Sequence, residues 1–142
     1  MKNPRTKRIL LACGLAAGIL FLALPCFYHL DYGELMDWDE ARHGVSAYEM
    51  LQTGEPIVTT YAYSPDYWNL KPPLSEWLIA LGYKLFGYNA YGLRFFSGVS
   101  MFLSALLCAA FLWKHYGKTE AVFSLFAFAY CGKLFCYHAA RN

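Results

Sequence analysis

The sequence predicts an all-α, polytopic membrane protein, and three observations support this fold class. Of the 142 residues, 58% are hydrophobic and only 15% are charged, against roughly a quarter charged in ordinary soluble domains. Three apolar runs are long enough to cross a bilayer. Nine of the ten acidic residues lie between the first two runs. The net charge of +2 gives no support to a nucleic-acid partner, which needs a basic face.

The first apolar run, residues 9–28, reads ILLACGLAAGILFLALPCFY and contains no charged residue. About 20 residues is the length that a helix needs to cross a hydrocarbon core about 30 Å thick. The run follows the basic residues Lys2, Arg5, Lys7 and Arg8, which the positive-inside rule keeps in the cytoplasm. A cleaved signal peptide has the same basic start and apolar core, so this alternative stays open.

Two further runs predict a second span over residues 93–113 and a third over residues 121–140. The second run is apolar except for Arg94 at its outer end, and the basic KHYGK segment follows it. The third run contains Lys133. Because a charged residue at mid-bilayer costs roughly 2.5 to 3.5 kcal/mol on insertion scales, we expect this ammonium group to reach outward or to face a polar interior.

Residues 30–92 form the predicted extracytoplasmic loop. They include nine acidic residues but only three bases, Arg42, Lys71 and Lys84. Since Lys and Arg concentrate in cytoplasmic loops, this acidic segment is expected outside and the N-terminus inside. The sequence therefore predicts a multi-pass protein of the cell (inner) membrane, with its spans in contact with membrane lipids.

Two short amphipathic helices are predicted within this loop. The first starts with Asp37 as its cap, has Glu40 reaching back in the first turn, and stops at Gly54. The second runs from Pro73 to Gly87 and places its leucines on one stripe. Helices of this kind between two spans mostly lie along the membrane surface, so both are expected to be juxtamembrane.

The first surface helix carries the candidate reactive residues. Asp39 and Glu40 lie in its first turn, where free backbone N–H groups favour an ionised carboxylate. Arg42 follows closely, and Lys71 precedes the second helix in a rigid LKPPL corner. A carboxylate and two cations suit a reaction in which an acceptor hydroxyl loses its proton while a phosphate leaving group gains charge. The alternative is structural, because Arg42 can pair with Asp39 or Glu40.

The sequence gives weaker indications about metal ions, cofactors and sugar-binding aromatic residues. No spacing of His, Cys, Asp and Glu residues requires a metal ion. The acidic loop is compatible with a divalent cation, so metal use stays undetermined, and no further cofactor is indicated. The aromatic residues Tyr61, Tyr63, Tyr67 and Trp68 fit either stacking on a sugar ring or packing at the lipid boundary.

The order of these features resembles the GT-C membrane glycosyltransferases, specifically the protein O-mannosyltransferase and aminoarabinose-transferase group. The resemblance rests on a first span, then WDEARHGVSAYEMLQTGEPIV, then NLKPPLSEWLIALGYKLFGYNAYGLRFFS leading into the second span. These stretches cover most of residues 38–97. The resemblance implies inverting transfer of a sugar from a polyprenyl-phosphate donor, at the outer membrane face, to a hydroxyl of a lipid, glycan or protein acceptor.

The same resemblance implies roles for individual residues. Asp39 is similar to the family's catalytic carboxylate, which activates the acceptor, and Glu40 is its motif partner. Arg42 and Lys71 look like ligands of the donor phosphate. Arg94 is implied as a further phosphate ligand or a structural cation, with a membrane anchor as the alternative.

Some features depart from the family pattern. His43 and Gly44 stand where Tyr-Ala is commoner, and Glu76 adds an acid just past the KPP corner. Family members continue through many more spans and a soluble domain, so the chain is expected to be the N-terminal part of such an enzyme and inactive when alone. The alternative is a non-enzymatic membrane module, such as a piece of a transporter or an assembly subunit.

Overall fold

The computed structural model describes residues 4–28, 30–35, 38–67 and 72–139, and these residues are mostly helical. In chain order the elements are α1 (Pro4–Phe27), α2 (Asp39–Thr53), β1 (Thr60–Tyr61), β2 (Ser64–Pro65), α3 (Leu74–Phe86), α4 (Ala90–His115) and α5 (Lys118–Ala139). The two short strands pair antiparallel. The chain divides into two compact units, one formed by Met1–Tyr28 with Gly98–Asn142 and the other by His29–Ser97. The predicted helical fold class is confirmed.

The first unit packs apolar helices against one another through small side chains. A Cβ atom on Gly98 would lie 2.1 Å from the carbonyl oxygen of Cys26, so the backbones of α4 and α1 touch there. Such close approach is typical of helices that pack in lipid, where small residues form the interfaces. The buried residues of this unit are mainly alanine and leucine: Leu22, Cys26, Ala105, Ala109, Ala121, Leu125 and Ala129.

Two of the described helices are long and apolar enough to cross a membrane, Arg8–Phe27 in α1 and the whole of α4, Ala90–His115. They correspond to the first two predicted spans. Large apolar side chains such as Leu20, Leu107 and Phe123 are exposed on this unit, which is expected where lipid covers the surface. Helix α5 occupies the third predicted span; that it crosses the bilayer stays a prediction, and the side chain of Lys133 lies outside the described part.

The second unit contains both predicted surface helices, with one boundary corrected. Helix α2 begins at Asp39, with Trp38 as a cap residue that makes no side-chain capping bond. The predicted start at Asp37, which itself lies outside the described residues, is therefore wrong. Glu40 was predicted to reach back to the start of the helix, but its carboxylate instead accepts hydrogen bonds from Arg94.

The C-terminal ends of the two surface helices follow the prediction. Helix α2 ends at Thr53, and Gly54 follows with φ of 73°, in the left-handed region that glycine adopts without a Cβ clash. Helix α3 ends at Phe86, before Gly87. The segment between the helices forms the hairpin of β1 and β2, which packs on α2 because the Ser46 hydroxyl donates to the Thr60 carbonyl at 2.9 Å.

Candidate functional site

Asp39 lies at the exposed N-terminus of α2. Within the residues that the structure describes, its carboxylate makes no hydrogen bond or ion pair. The first-turn N–H groups of a helix stabilise a negative charge at this position. Asp39 is therefore an ionisable, solvent-accessible carboxylate on a rigid element.

Glu40, the adjacent acid, is held by Arg94 from the first turns of α4. Arg94 Nε donates to one oxygen of Glu40 at 2.5 Å and Nη2 donates to the other at 2.9 Å. The remaining N–H groups of Arg94 donate to the carbonyls of Leu30, Tyr32 and Glu34 at 2.9 to 3.1 Å. This bidentate pair is the strong form of an Arg–carboxylate contact, and it fixes the start of α2 against α4 and the 30–34 segment.

Arg42 is held on the opposite side by an acid from the hairpin. Its Nη2 lies 2.7 and 2.6 Å from the two carboxylate oxygens of Asp66, and its Nε lies 3.1 Å from one of them. The hydrogen bonds that Arg42 donates to Asp66 raise the pKa of Arg42 despite partial desolvation, and the charges of Asp66, Tyr61 and Asp39 raise it further. Among the described residues, no group accepts a hydrogen bond from Nη1, so that edge of the guanidinium is available to an anion.

The hairpin holds the Arg42–Asp66 pair through a backbone hydrogen bond and a cation–π contact. The Asp66 N–H donates to the Thr59 carbonyl at 2.9 Å, and the Tyr61 ring lies 5.5 Å from the Arg42 guanidinium carbon, within cation–π range. Ala62 and Tyr63 at the hairpin turn both have positive φ, 53° and 56°, a conformation that usually takes Asn-Gly. The hairpin thus brings Tyr61 and Asp66 to Arg42 through a turn whose two central residues have a backbone conformation that residues with a side chain rarely adopt.

A second polar contact joins α2 to α3. His43 Nδ1 lies 2.8 Å from one oxygen of Glu76, and the Ser75 hydroxyl donates to the other oxygen at 2.8 Å. Glu76 is fully buried. Burial alone raises the pKa of Glu76, but hydrogen bonds from Ser75, the backbone and His43 outweigh this effect and lower it overall. Glu76 is therefore an ionised acceptor.

Gly44, another residue that departs from the family pattern, lies against Tyr83 of α3. A Cβ atom at this position would lie 2.8 Å from the Tyr83 hydroxyl, so an alanine would push against Tyr83. Gly44 and Tyr83, together with Tyr48 and Leu93, line an apolar groove of about 300 Å³ in the second unit. Burial raises the pKa of Tyr83, and the charge of Glu40 raises it further, so this hydroxyl stays neutral. The departures at His43, Gly44 and Glu76 are thus all parts of the α2–α3 contact.

Four of the five residues predicted for the site from the sequence lie within the described part of the second unit. Asp39, Glu40, Arg42 and Arg94 all belong to the second unit, and Glu40 is paired with Arg94. Arg42 pairs with Asp66 instead of with Asp39 or Glu40. Lys71 lies outside the described residues, so its approach to the other charges stays a prediction.

Sequence reasoning missed three contacts of the site: Asp66 with Arg42, His43 with Glu76, and Ser75 with Glu76. Asp66 lies 24 residues from Arg42, too far for any helical or strand periodicity to connect them. The available signal was that Asp66 is the single acid between Glu55 and Glu76. For metal binding, no group of three or more His, Cys, Asp or Glu side chains forms a candidate site within the described residues.

Comparison with known proteins places the chain in a family. Residues 70–142, about half of the chain, match the family described as dolichyl-phosphate-mannose-protein mannosyltransferase. No solved structure matches the chain.

Curated relatives match a longer part of the chain. The chain is similar to undecaprenyl phosphate-alpha-4-amino-4-deoxy-L-arabinose arabinosyl transferase 2 of Pseudomonas fluorescens (39% identical, covering 68% of this chain and 17% of the relative). It is similar also to the arabinosyl transferases of Pseudomonas savastanoi (37%, covering 79% and 20%) and Enterobacter sp. (35%, covering 80% and 21%). The chain thus spans about a fifth of the length of these relatives. By its family match and these similarities, it belongs to the dolichyl-phosphate-mannose-protein mannosyltransferase family, within the GT-C glycosyltransferases.

Proposed function

We propose that this protein takes part in transferring a sugar from a polyprenyl-phosphate donor to a hydroxyl of a lipid, glycan or protein acceptor. Membership of the mannosyltransferase family supports sugar transfer from a lipid phosphate. The named activity of the arabinosyl transferase relatives, which use an undecaprenyl phosphate sugar, supports the same class of donor.

Asp39 is the proposed base. The observation that carries this assignment is the contrast between the two adjacent acids: Glu40 is committed to Arg94, whereas Asp39 is exposed and makes no ion pair with the described residues. A base must reach the proton that it removes, and an acid that is already paired is less suited to that task. Glu40 then acts as a positioning residue, which holds the helix that carries Asp39.

Arg42 and Lys71 are the proposed ligands of the donor phosphate. Arg42 is fixed by Asp66 and keeps one N–H edge for an anion, and Lys71 supplies a second positive charge from the KPP corner. Arg94, expected as a phosphate ligand or a structural cation, has all of its N–H groups engaged. We therefore assign Arg94 the structural role.

The proposed reaction is a single displacement with inversion. The acceptor oxygen forms a bond to the anomeric carbon while the bond from that carbon to the donor phosphate oxygen breaks. The hydroxyl proton passes to Asp39, and the phosphate leaves with the electron pair of the broken bond. Arg42 and Lys71 stabilise the charge that develops on the phosphate, which is an electrostatic contribution to catalysis.

The proposed location of the reaction is the outer face of the cell (inner) membrane. The second unit carries most of the acidic residues of the chain, whereas basic residues flank the apolar helices on the other side. In this arrangement the N-terminus is cytoplasmic and α2 and α3 lie at the external surface. Membrane lipids then surround the spans and the prenyl chain of the donor.

Asp39→Asn in the full-length protein tests the proposal, because Asn keeps the size of the side chain but cannot accept the proton as a carboxylate does. We expect unchanged expression and a loss of transfer of at least about 100-fold, measured with radiolabelled polyprenyl-phosphate sugar in proteoliposomes. Asp31→Asn, at another exposed acid of the same loop, is the matched control. Transfer that persists in Asp39→Asn removes Asp39 from the mechanism, and a wild-type protein without transfer favours the non-enzymatic module.

A further inference from the structure

Three polar residues on one face of α2 hold the hairpin, and two of them have no part in the proposed reaction. Arg42, Ser46 and Glu49 are spaced by four and then three residues, so they are neighbours along one side of the helix. Ser46 is fully buried and Glu49 is only 3% exposed. Because burying a carboxyl group costs free energy unless it is hydrogen-bonded, the position of Glu49 depends on its partner in the hairpin.

That partner is Thr60 of β1, which α2 holds in two ways. The Thr60 hydroxyl donates to Oε2 of Glu49 at 2.6 Å. The Thr60 carbonyl accepts a hydrogen bond from the Ser46 hydroxyl at 2.9 Å. One contact uses the side chain and the other uses the backbone, so together they fix both the position and the rotation of Thr60 against α2.

The neighbours of Thr60 in the chain are the residues that connect the hairpin to the Arg42–Asp66 pair. The carbonyl of Thr59 accepts a hydrogen bond from the Asp66 N–H at 2.9 Å. The ring of Tyr61 lies 5.5 Å from the guanidinium carbon of Arg42. A displacement of Thr60 along α2 therefore moves both groups that hold the Arg42 side chain.

We propose that Glu49, acting through Thr60, is a positioning residue that holds the hairpin where Asp66 directs Arg42 toward the donor phosphate. This inference rests on the proposed function, in which Arg42 binds that phosphate. Glu49 contributes by preorganisation, since a guanidinium that is already ordered loses less conformational freedom when an anion binds. Its effect belongs to donor binding, so it appears in the donor KM and leaves kcat nearly unchanged.

Thr60→Val and Thr60→Ser form the matched test, because valine lacks the hydroxyl that donates to Glu49 whereas serine keeps it. In the full-length protein in proteoliposomes, we expect Thr60→Val to raise the donor KM about tenfold and to change kcat less than about twofold. Thr60→Ser should keep both within about twofold to threefold of the wild type. Thr53→Val is the control, since it removes a hydroxyl that donates to the backbone carbonyl of Glu49 and not to the hairpin.

A double-mutant cycle distinguishes positioning from a general loss of stability. If Thr60 acts through Asp66, Thr60→Val adds little once Asp66→Asn has released Arg42, and the double variant stays within about twofold of Asp66→Asn in donor KM. A merely structural role predicts that the two increases multiply. Isothermal titration with polyprenyl phosphate that carries no sugar, in detergent, gives the same comparison without requiring transfer.

Ser46→Ala is a second and smaller change, because it removes the other contact that holds Thr60. We expect it to raise the donor KM about threefold, in the same direction as Thr60→Val. If Thr60→Val does not accumulate in the membrane, an unchanged donor KM in Ser46→Ala contradicts the proposal in its place.

The outcomes separate this inference from the proposed function. If the wild type transfers sugar and Thr60→Val keeps its donor KM, or if Thr60→Ser or Thr53→Val raises that KM equally, the positioning role is wrong and sugar transfer stands. Multiplied increases in the cycle have the same meaning. If the wild type binds polyprenyl phosphate but transfers no sugar, the proposed function fails, whereas weaker binding by Thr60→Val still supports the role of Glu49. If the wild type neither binds nor transfers, both proposals fail.

Discussion

The two arginines of the second unit differ in how much of their guanidinium is occupied. Arg94 donates five hydrogen bonds, to Glu40 and three backbone carbonyls. Arg42 binds Asp66 through Nε and Nη2 only. Since a planar guanidinium presents five donors in a fixed fork, the unused edge of Arg42 points away from its own anchor. Arg42 is therefore suited to bind an anion, and Arg94 is suited to hold the backbone.

Asp66→Asn tests whether Asp66 serves to orient Arg42. The substitution keeps the shape of the side chain but removes the charge that fixes the guanidinium, so Arg42 should sample other positions. We expect the KM for the lipid-phosphate donor to rise about tenfold, as for the loss of one charge-assisted contact, with kcat changed less than twofold. Steady-state kinetics of the full-length protein in proteoliposomes measures both.

Glu55→Gln, at an exposed acid on the same segment, is the control for a general effect of charge on donor recruitment. A fall in donor KM in Asp66→Asn contradicts the positioning role, because it means that Asp66 competes with the phosphate for Arg42. An unchanged KM means that Arg42 does not bind the donor through this arrangement.

At the scale of elements, glycine sets the distance between α3 and α4. A Cβ atom on Gly82 would lie 2.1 Å from the carbonyl oxygen of Gly92, which no side-chain rotation can relieve because the obstacle is backbone. We expect Gly82→Ala to destabilise the second unit by about 1 to 3 kcal/mol and to lower the melting temperature in detergent. Gly14→Ala is the control, since its Cβ would meet only Val122 at an ordinary 3.5 Å; equal melting temperatures for the two variants contradict this packing.

The α2–α3 contact should also be sensitive to acid. The folded-state pKa of Glu76 is lowered from the ordinary value of 4.5, so its contribution to stability is present above that value and is lost as pH falls through the folded-state pKa. We expect the melting temperature of the wild type to drop more steeply below pH 4.5 than that of Glu76→Gln. Parallel curves for the two proteins, measured by scanning fluorimetry, contradict an ionised Glu76.

The sequence predicted the helices of this unit better than its hairpin, for physical reasons. Apolar periodicity and the glycines Gly54 and Gly87 determine where α2 and α3 end, and both signals are local. The hairpin has strands of only two residues and turns at Ala62 and Tyr63, which carry no Asn-Gly signal. Its position depends on Asp66 binding Arg42 far along the chain, and no local rule predicts a contact of that kind.

The candidate site was predictable in its residue types but only partly in its pairings. Asp39, Glu40, Arg42 and Arg94 were found because their order along the chain resembles a family pattern. The pairing of Glu40 with Arg94 joins residues 54 apart, and the pairing of His43 with Glu76 joins residues 33 apart. Both depend on how three helices pack, which composition and spacing do not determine.

For the whole molecule, charge and hydropathy favour a single orientation in the membrane. The acidic second unit holds the candidate site, whereas the end of α4 and the start of α5 are basic, with Lys114, His115 and Lys118. Positive residues concentrate on the cytoplasmic side, and a polyprenyl-phosphate donor presents its phosphate at a membrane surface. We therefore expect the candidate site and this basic connection between α4 and α5 to lie on opposite faces of the bilayer.

Cysteine labelling of Glu55→Cys and Thr119→Cys tests this orientation. Both positions are exposed; Glu55 belongs to the second unit and Thr119 to the first turn of α5, beside the turn that connects α4 to α5. We expect a membrane-impermeant maleimide to label Glu55→Cys in intact spheroplasts of a bacterial host. Thr119→Cys should react only after permeabilisation. The wild type, whose five cysteines lie in or beside apolar runs, measures the background. Labelling of Thr119→Cys from outside would mean that the orientation is reversed. Arg42 would then face the cytoplasm and could bind a donor phosphate only on that side, so this result would overturn the external location of the reaction as well.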